Sequence, residues 1–97
     1  MTNSIIRYKS YRFAIKIIKF YKILNQQREF VFANQLLRCS TSIGANIEEA
    51  LGAQSTKDFI AKMSISHKEA RETNYWIRLL KDSNILQKEY CENLLSG

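Results

Sequence analysis

Apolar residues recur along this chain at intervals of three and four, the spacing of one face of an α-helix. From about Ser4 to Leu24, the residues Ile6, Phe13, Ala14, Ile17, Phe20, Tyr21 and Leu24 share a face, widened by Tyr11, Ile15 and Ile18. Asn3 or Ser4 is the expected N-cap, and the polar run Asn25, Gln26, Gln27 the break. Lys9, Arg12, Lys16 and Lys19 gather on another side, in a sector about 80° wide at about 100° per residue. Tyr8 and Arg7 are placed off that sector, which leaves it without an aromatic platform for stacking bases.

The second helix is expected from about Glu29 to Leu51, with Gly52 as its stop. Ala33, Leu36, Leu37, Ser40, Ile43, Gly44, Ile47, Ala50 and Leu51 stay in phase, so the helical period runs through Gly44 rather than breaking into a loop. A glycine in a helix interior costs about 1 kcal/mol against alanine. A neighbouring helix approaching closely would offset that, and the small residues Ser66 and Ala70 nominate the third helix as that neighbour. The opposite face carries Gln35, Arg38, Ser42, Asn46 and Glu49.

Ser55 and Asp58 form the capping pattern that opens a third helix, running to about Lys81. Phe59, Met63, Ser66, Ala70, Thr73, Ile77 and Leu80 alternate steps of four and three, the seam of a helix packed along others. A second apolar strip of Ile65, Trp76 and Leu79, with Glu69 and Glu72 between, is more than an isolated bundle requires and is assigned to a contact between copies. A turn at residues 82–84 leads to a short fourth helix over about 87–95. The predicted fold is one all-α domain over residues 1–97, an antiparallel up-down-up-down four-helix bundle with a short fourth helix, assembling into a homo-oligomeric ring.

Composition adds to this in two ways. The chain has no proline and only three glycines in 97 residues, which favours helices over a turn-rich β fold. Its net charge of +6 is unevenly placed. Residues 1–46 hold eight Lys or Arg against Glu29 alone, whereas residues 47–97 hold seven against eight acids. Such asymmetry suggests an anionic partner for the first half. The two cysteines, Cys39 and Cys91, lack ligand or disulfide spacing, and neither a signal segment nor a membrane span is apparent, so a cytoplasmic location is expected and no membrane partner.

Little in the chain points to catalysis. Glu48 and Glu49 are adjacent and project about 100° apart, too divergent for a carboxylate pair. His67, the single histidine, lacks the Glu-x-x-His arrangement of a di-iron bundle. Neither enzymatic activity, nor a metal, nor a cofactor is expected. The residues Gln35, Arg38, Ser42, Asn46 and Glu49 are assigned to polar contacts that fix geometry, with Arg38 and Glu49 too far apart to pair along one helix.

The pattern Q-x-x-R-x-x-x-S-I-x-x-N-I-x-E, formed by Gln35, Arg38, Ser42, Ile43, Asn46, Ile47 and Glu49, resembles that of 23S rRNA intervening-sequence proteins. The accessory variability protein of diversity-generating retroelements is related to that family. The stretch GAQSTKDFIAKMSISHKEARETNYWIRLL also looks like the family's third helix, and the likeness spans about residues 5 to 90. The resemblance implies a ring, typically a homopentamer, with a basic surface. In the retroelement branch it implies nucleic acid and a reverse transcriptase as partners. The function expected is sequence-non-specific binding or scaffolding of RNA or DNA through Lys9, Arg12, Lys16 and Lys19. The alternative is a protein-interaction module whose same basic face docks an acidic partner. A third possibility, a cationic amphipathic first helix resting on a membrane surface, follows from the same pattern.

Overall fold

The computed structural model describes residues 2–96 and the side chains of residues 5–95. It consists of α1 (Thr2–Gln26), α2 (Phe30–Leu51), α3 (Thr56–Asp82) and α4 (Lys88–Ser96), with no strand among the described residues. α1 packs on α2, α2 on α3 and α3 on α4, in a four-helix bundle measuring 43 × 24 × 19 Å. The expected all-α class and helix order are those observed. α1 begins at Thr2, before the expected N-cap residues Asn3 and Ser4, whose side chains lie outside the described residues. It also runs two residues past Leu24.

The ends of α1 and α3 are built alike. At the first, Glu29 N donates to Leu24 O at 2.8 Å and Arg28 N to Asn25 O at 3.0 Å; at the second, Ile85 N donates to Leu80 O at 3.0 Å and Asn84 N to Lys81 O at 3.1 Å. These are Schellman closures, which need a left-handed residue just past the helix. Arg28 (φ 63°) and Asn84 (φ 60°) supply it. Gly52, expected to end α2 through its conformational freedom, instead sits at φ −94°, which any residue can adopt. The start of α3 is as expected, with Ser55 Oγ accepting from Asp58 N at 3.1 Å.

The buried core lies mainly where α4 covers the bundle: Ile17 and Leu24 from α1, Ala33 and Leu36 from α2, Ile77 and Leu80 from α3, then Leu86, Cys91 and Leu94. Most predicted seam positions are buried or half-buried, and Cys39 joins them. Three of them are not enclosed: Tyr11 and Ile18 on α1 and Phe59 at the start of α3 are exposed. Nine-residue α4 is too short to reach the far half of α3. Phe59 is thereby left without a facing helix.

Gly44 does mark a close approach, and the helix that its missing side chain faces is α1. A methyl group there would lie 3.4 Å from Ser10 Oγ and 3.6 Å from Ser10 Cβ. The small residue of α3 contributes separately: Ser66 Oγ donates to Ile43 O at 2.9 Å, joining α3 to the backbone of α2. α3 thus comes close beside Gly44 as expected, but the space left by the missing side chain faces α1, because periodicity tells which face is small without telling which helix lies against it.

Candidate nucleic-acid interface

Lys9, Arg12, Lys16 and Lys19 all project from α1 into solvent, as their phase dictates. None of the four has an ion-pair or hydrogen-bond partner among the described residues. Their neighbour Arg7 does, lying 3.7 Å from Glu48 across the exposed α1–α2 boundary. Lys9 and Lys19 are ten residues apart, about 15 Å at 1.5 Å rise.

Tyr8, placed off this row by the sequence reading, belongs beside it. Tyr8, Lys9, Arg12, Phe13 and Lys16 line one shallow depression. On its other side Tyr8 borders a second depression with Arg7, Tyr11 and Glu48. Tyr8 and Tyr11 are 66% and 65% exposed, so their ring faces are open to a stacking partner. The signal was present in the sequence: at 100° per residue Tyr8 falls only about 20° from Lys19. An arrangement of unpaired cations with two exposed aromatic rings can hold phosphates and stack bases together.

The polar motif of α2 separates into two groups. Arg38 Nη1 donates to Glu69 Oε2 at 3.1 Å, Arg38 Nη2 donates to Glu72 Oε2 and, at 3.3 Å, to Gln35 Oε1. The Trp76 indole N–H completes this bridge by donating to Glu72 Oε2 at 3.1 Å. Arg38 thus finds on α3 the anionic partners it could not have along α2. Glu69, whose side chain is only 12% exposed, needs that charge more than the half-exposed Arg38 does. Ser42 and Asn46 turn back on their own helix, donating to Arg38 O at 2.7 Å and Ser42 O at 2.8 Å. Glu49 is exposed, with no partner among the described residues.

The second strip of α3 is likewise mixed. Trp76 is half-buried, its ring edge-on to Phe32 of α2 at 6.0 Å and to Tyr75 at 5.4 Å. Leu79 is half-buried and Ile65 exposed. Among the described residues no three His, Cys, Asp or Glu side chains converge as a metal site would require, and no helix is long and apolar enough to cross a membrane.

Compared with known proteins, residues 2–97 match the model of the 23S rRNA-intervening sequence protein family. No curated protein matches the chain. Among solved structures, it is similar to a crystal structure of a protein of unknown function from the S23 ribosomal protein family of Bacteroides thetaiotaomicron VPI-5482. The two share 46% identity and a TM-score of 0.95, over 99% of this chain and 87% of the other.

Proposed function

This chain belongs to the 23S rRNA-intervening sequence protein family, and on that premise we propose that it is a non-enzymatic bundle that holds RNA or DNA without reading sequence. The observation that carries the proposal is the row of Lys9, Arg12, Lys16 and Lys19, exposed, without partners among the described residues, and flanked by exposed Tyr8 and Tyr11. Phosphates replace condensed counterions at the four cations, and the rings give unpaired bases a surface to stack on. No partner among the described residues holds Arg12 or the lysines in a fixed orientation toward base edges, so affinity is carried by charge. Two free, buried cysteines suit a reducing cytoplasm as the place of action.

The test is a titration of single-stranded RNA at several salt concentrations. Four phosphate contacts give a slope of log affinity against log salt of about −3, and Lys16→Ala should reduce it by about 0.7. Affinity that is absent at low salt, or insensitive to salt, overturns the proposal. An acidic polypeptide that binds the same row when RNA does not would identify it as a protein-docking face.

Assembly belongs to the same proposal. Along α2 and α3 the contacting pairs run Phe32 with Trp76, Arg38 with Glu72, Cys39 with Thr73 and Ile43 with Ser66. Numbers that rise on one helix and fall on the other support the up-down-up-down arrangement. Exposed Phe59, Ile60 and Ile65 on α3 support association of copies, in the ring of five that the family resemblance implies. A reverse transcriptase, or another enzyme acting on nucleic acid, is the partner such a scaffold would serve. Light scattering after size exclusion should give the mass of several chains, lowered by Ile65→Glu; a monomer at micromolar concentration refutes the ring.

A further inference from the structure

The solvent face of α3 also carries a row of cations. Lys68, Arg71 and Arg78 line a shallow depression there together with Asn74 and Tyr75. All five are exposed, Tyr75 at 51%. Lys68 and Arg71 have no partner among the described residues, and Arg78 uses only its Nε, donating to Asn74 Oδ1 at 2.7 Å. The guanidinium nitrogens at the tip of Arg78 are left for an anion.

Acids are plentiful on this helix, but they do not neutralise the row. Glu69 and Glu72 lie toward α2, where both oxygens that the bridge uses are engaged by Arg38 and, for Glu72, by Trp76. Glu72 reaches the edge of the depression, and because one Arg38 serves both carboxylates the bridge keeps a single negative charge against the three cations of the row. Asp58 sits a full ten residues before Lys68, in the first turn of α3, and Asp82 lies in the last. Over residues 68–78 the helix is sorted across its width, with Glu69 and Glu72 toward α2 and the three cations outward.

The α1 and α3 rows face different ways. On α3 the cations project away from Ala70, Thr73 and Ile77, which line an interior groove with Phe13 of α1, whereas the α1 cations share a different depression with Phe13, so the two rows occupy separate faces. α1 and α3 each pack along α2 and meet one another through side chains of the core. We propose that Lys68, Arg71, Arg78 and Tyr75 form a second single-stranded nucleic-acid site, so that one chain holds two strands on separate faces of its bundle. The Tyr75 ring stacks a base while the three cations hold the adjoining phosphates. Nucleic acid is favoured over an acidic protein by the pairing of an open aromatic ring with cations along one helix. The two-strand stoichiometry rests on the α1 reading; the α3 site does not.

The test uses the full chain and fluorescent oligoadenylate of about four nucleotides, one for each cation of the α1 row and too short to lie along both rows at once. Strands bound per chain are counted at low salt by sedimentation. The wild-type chain should bind two; Lys68→Glu with Arg71→Glu and Arg78→Glu should bind one, as should the four-fold reversal of Lys9, Arg12, Lys16 and Lys19. The milder glutamine triple at the α3 positions, with its helix content checked by circular dichroism, should show the same loss. One strand per chain that only the α1 reversal removes overturns the α3 site and leaves the α1 proposal intact. One strand that only the α3 reversal removes sinks the α1 proposal and keeps this site. Two strands retained by the α3 variants, or a polyglutamate that displaces RNA from α3 at lower concentration than RNA competes with itself, overturns the inference.

Discussion

Arg28 closes α1 at φ 63°, a left-handed conformation that a side chain with a Cβ resists by about 1 to 2 kcal/mol. Glycine removes that strain while loosening the unfolded chain, so Arg28→Gly should stabilise the fold by about 0.5 to 1 kcal/mol, seen as a higher urea midpoint. Gly52→Ala should not lower stability, because Gly52 lies at φ −94° and an added methyl would meet only Glu48 O at 3.8 Å and Glu49 O at 3.9 Å. At the same scale, burial raises the pKa of both thiols above their ordinary 9.0. For Cys39 the Thr73 hydroxyl, 3.2 Å from the sulfur, pulls it part of the way back. The native state keeps thiol protons that the unfolded chain releases above pH 9.0, so this contribution is full below that pH and falls as pH rises past it. The drop in urea midpoint between about pH 8 and pH 10 should therefore shrink when Cys39 and Cys91 are both replaced by alanine.

At the scale of helices, Gly44 offers the sharpest test of packing. Because Ser10 stands at ordinary van der Waals distance from where a methyl would go, Gly44→Ala should fit between α1 and α2. It should then raise stability by up to about 1 kcal/mol through helix propensity, whereas Gly44→Leu should lower it by prying the two apart. If alanine lowers the urea midpoint instead, the helices are nearer than described. The spacing of apolar residues made all four helices legible, to within two residues at each end, because a buried stripe must repeat every 3.6 residues whatever it packs against. What a stripe packs against is three-dimensional information. Hence the approach of α3 beside Gly44 was legible while the contact with Ser10 of α1 was not, and Arg38 could be recognised as needing partners without Glu69 and Glu72 being identified. Tyr8 lies about 20° outside the sector of Lys9, Arg12, Lys16 and Lys19, within reach of a side chain as long as a tyrosine's, so phase alone does not separate it from them.

Across the whole molecule, summing charge along the chain hid as much as it disclosed. Residues 47–97 hold nearly equal numbers of acids and bases, yet α3 turns Glu69 and Glu72 to α2 and Lys68, Arg71 and Arg78 to solvent. A helix separates across its diameter what the sequence interleaves, so electrostatic surfaces follow from phase rather than from local totals. The first half advertised its cations only because Glu29 is its lone acid.

Enclosure is equally uneven. α4 caps Ile17, Leu24, Leu36, Ile77 and Leu80 at one end, while Phe59 and Ile60 at the opposite end of α3 meet solvent. Opening free energy follows local burial, so backbone amides should trade protons for deuterons slowest around Leu36 and Ile77 and fastest near Phe59. Mass spectrometry of peptic fragments would map that gradient. Uniform protection along α3 in the isolated chain would mean that something other than α4 seals the far end, and a gradient that vanishes only at high concentration would name sister chains as the seal.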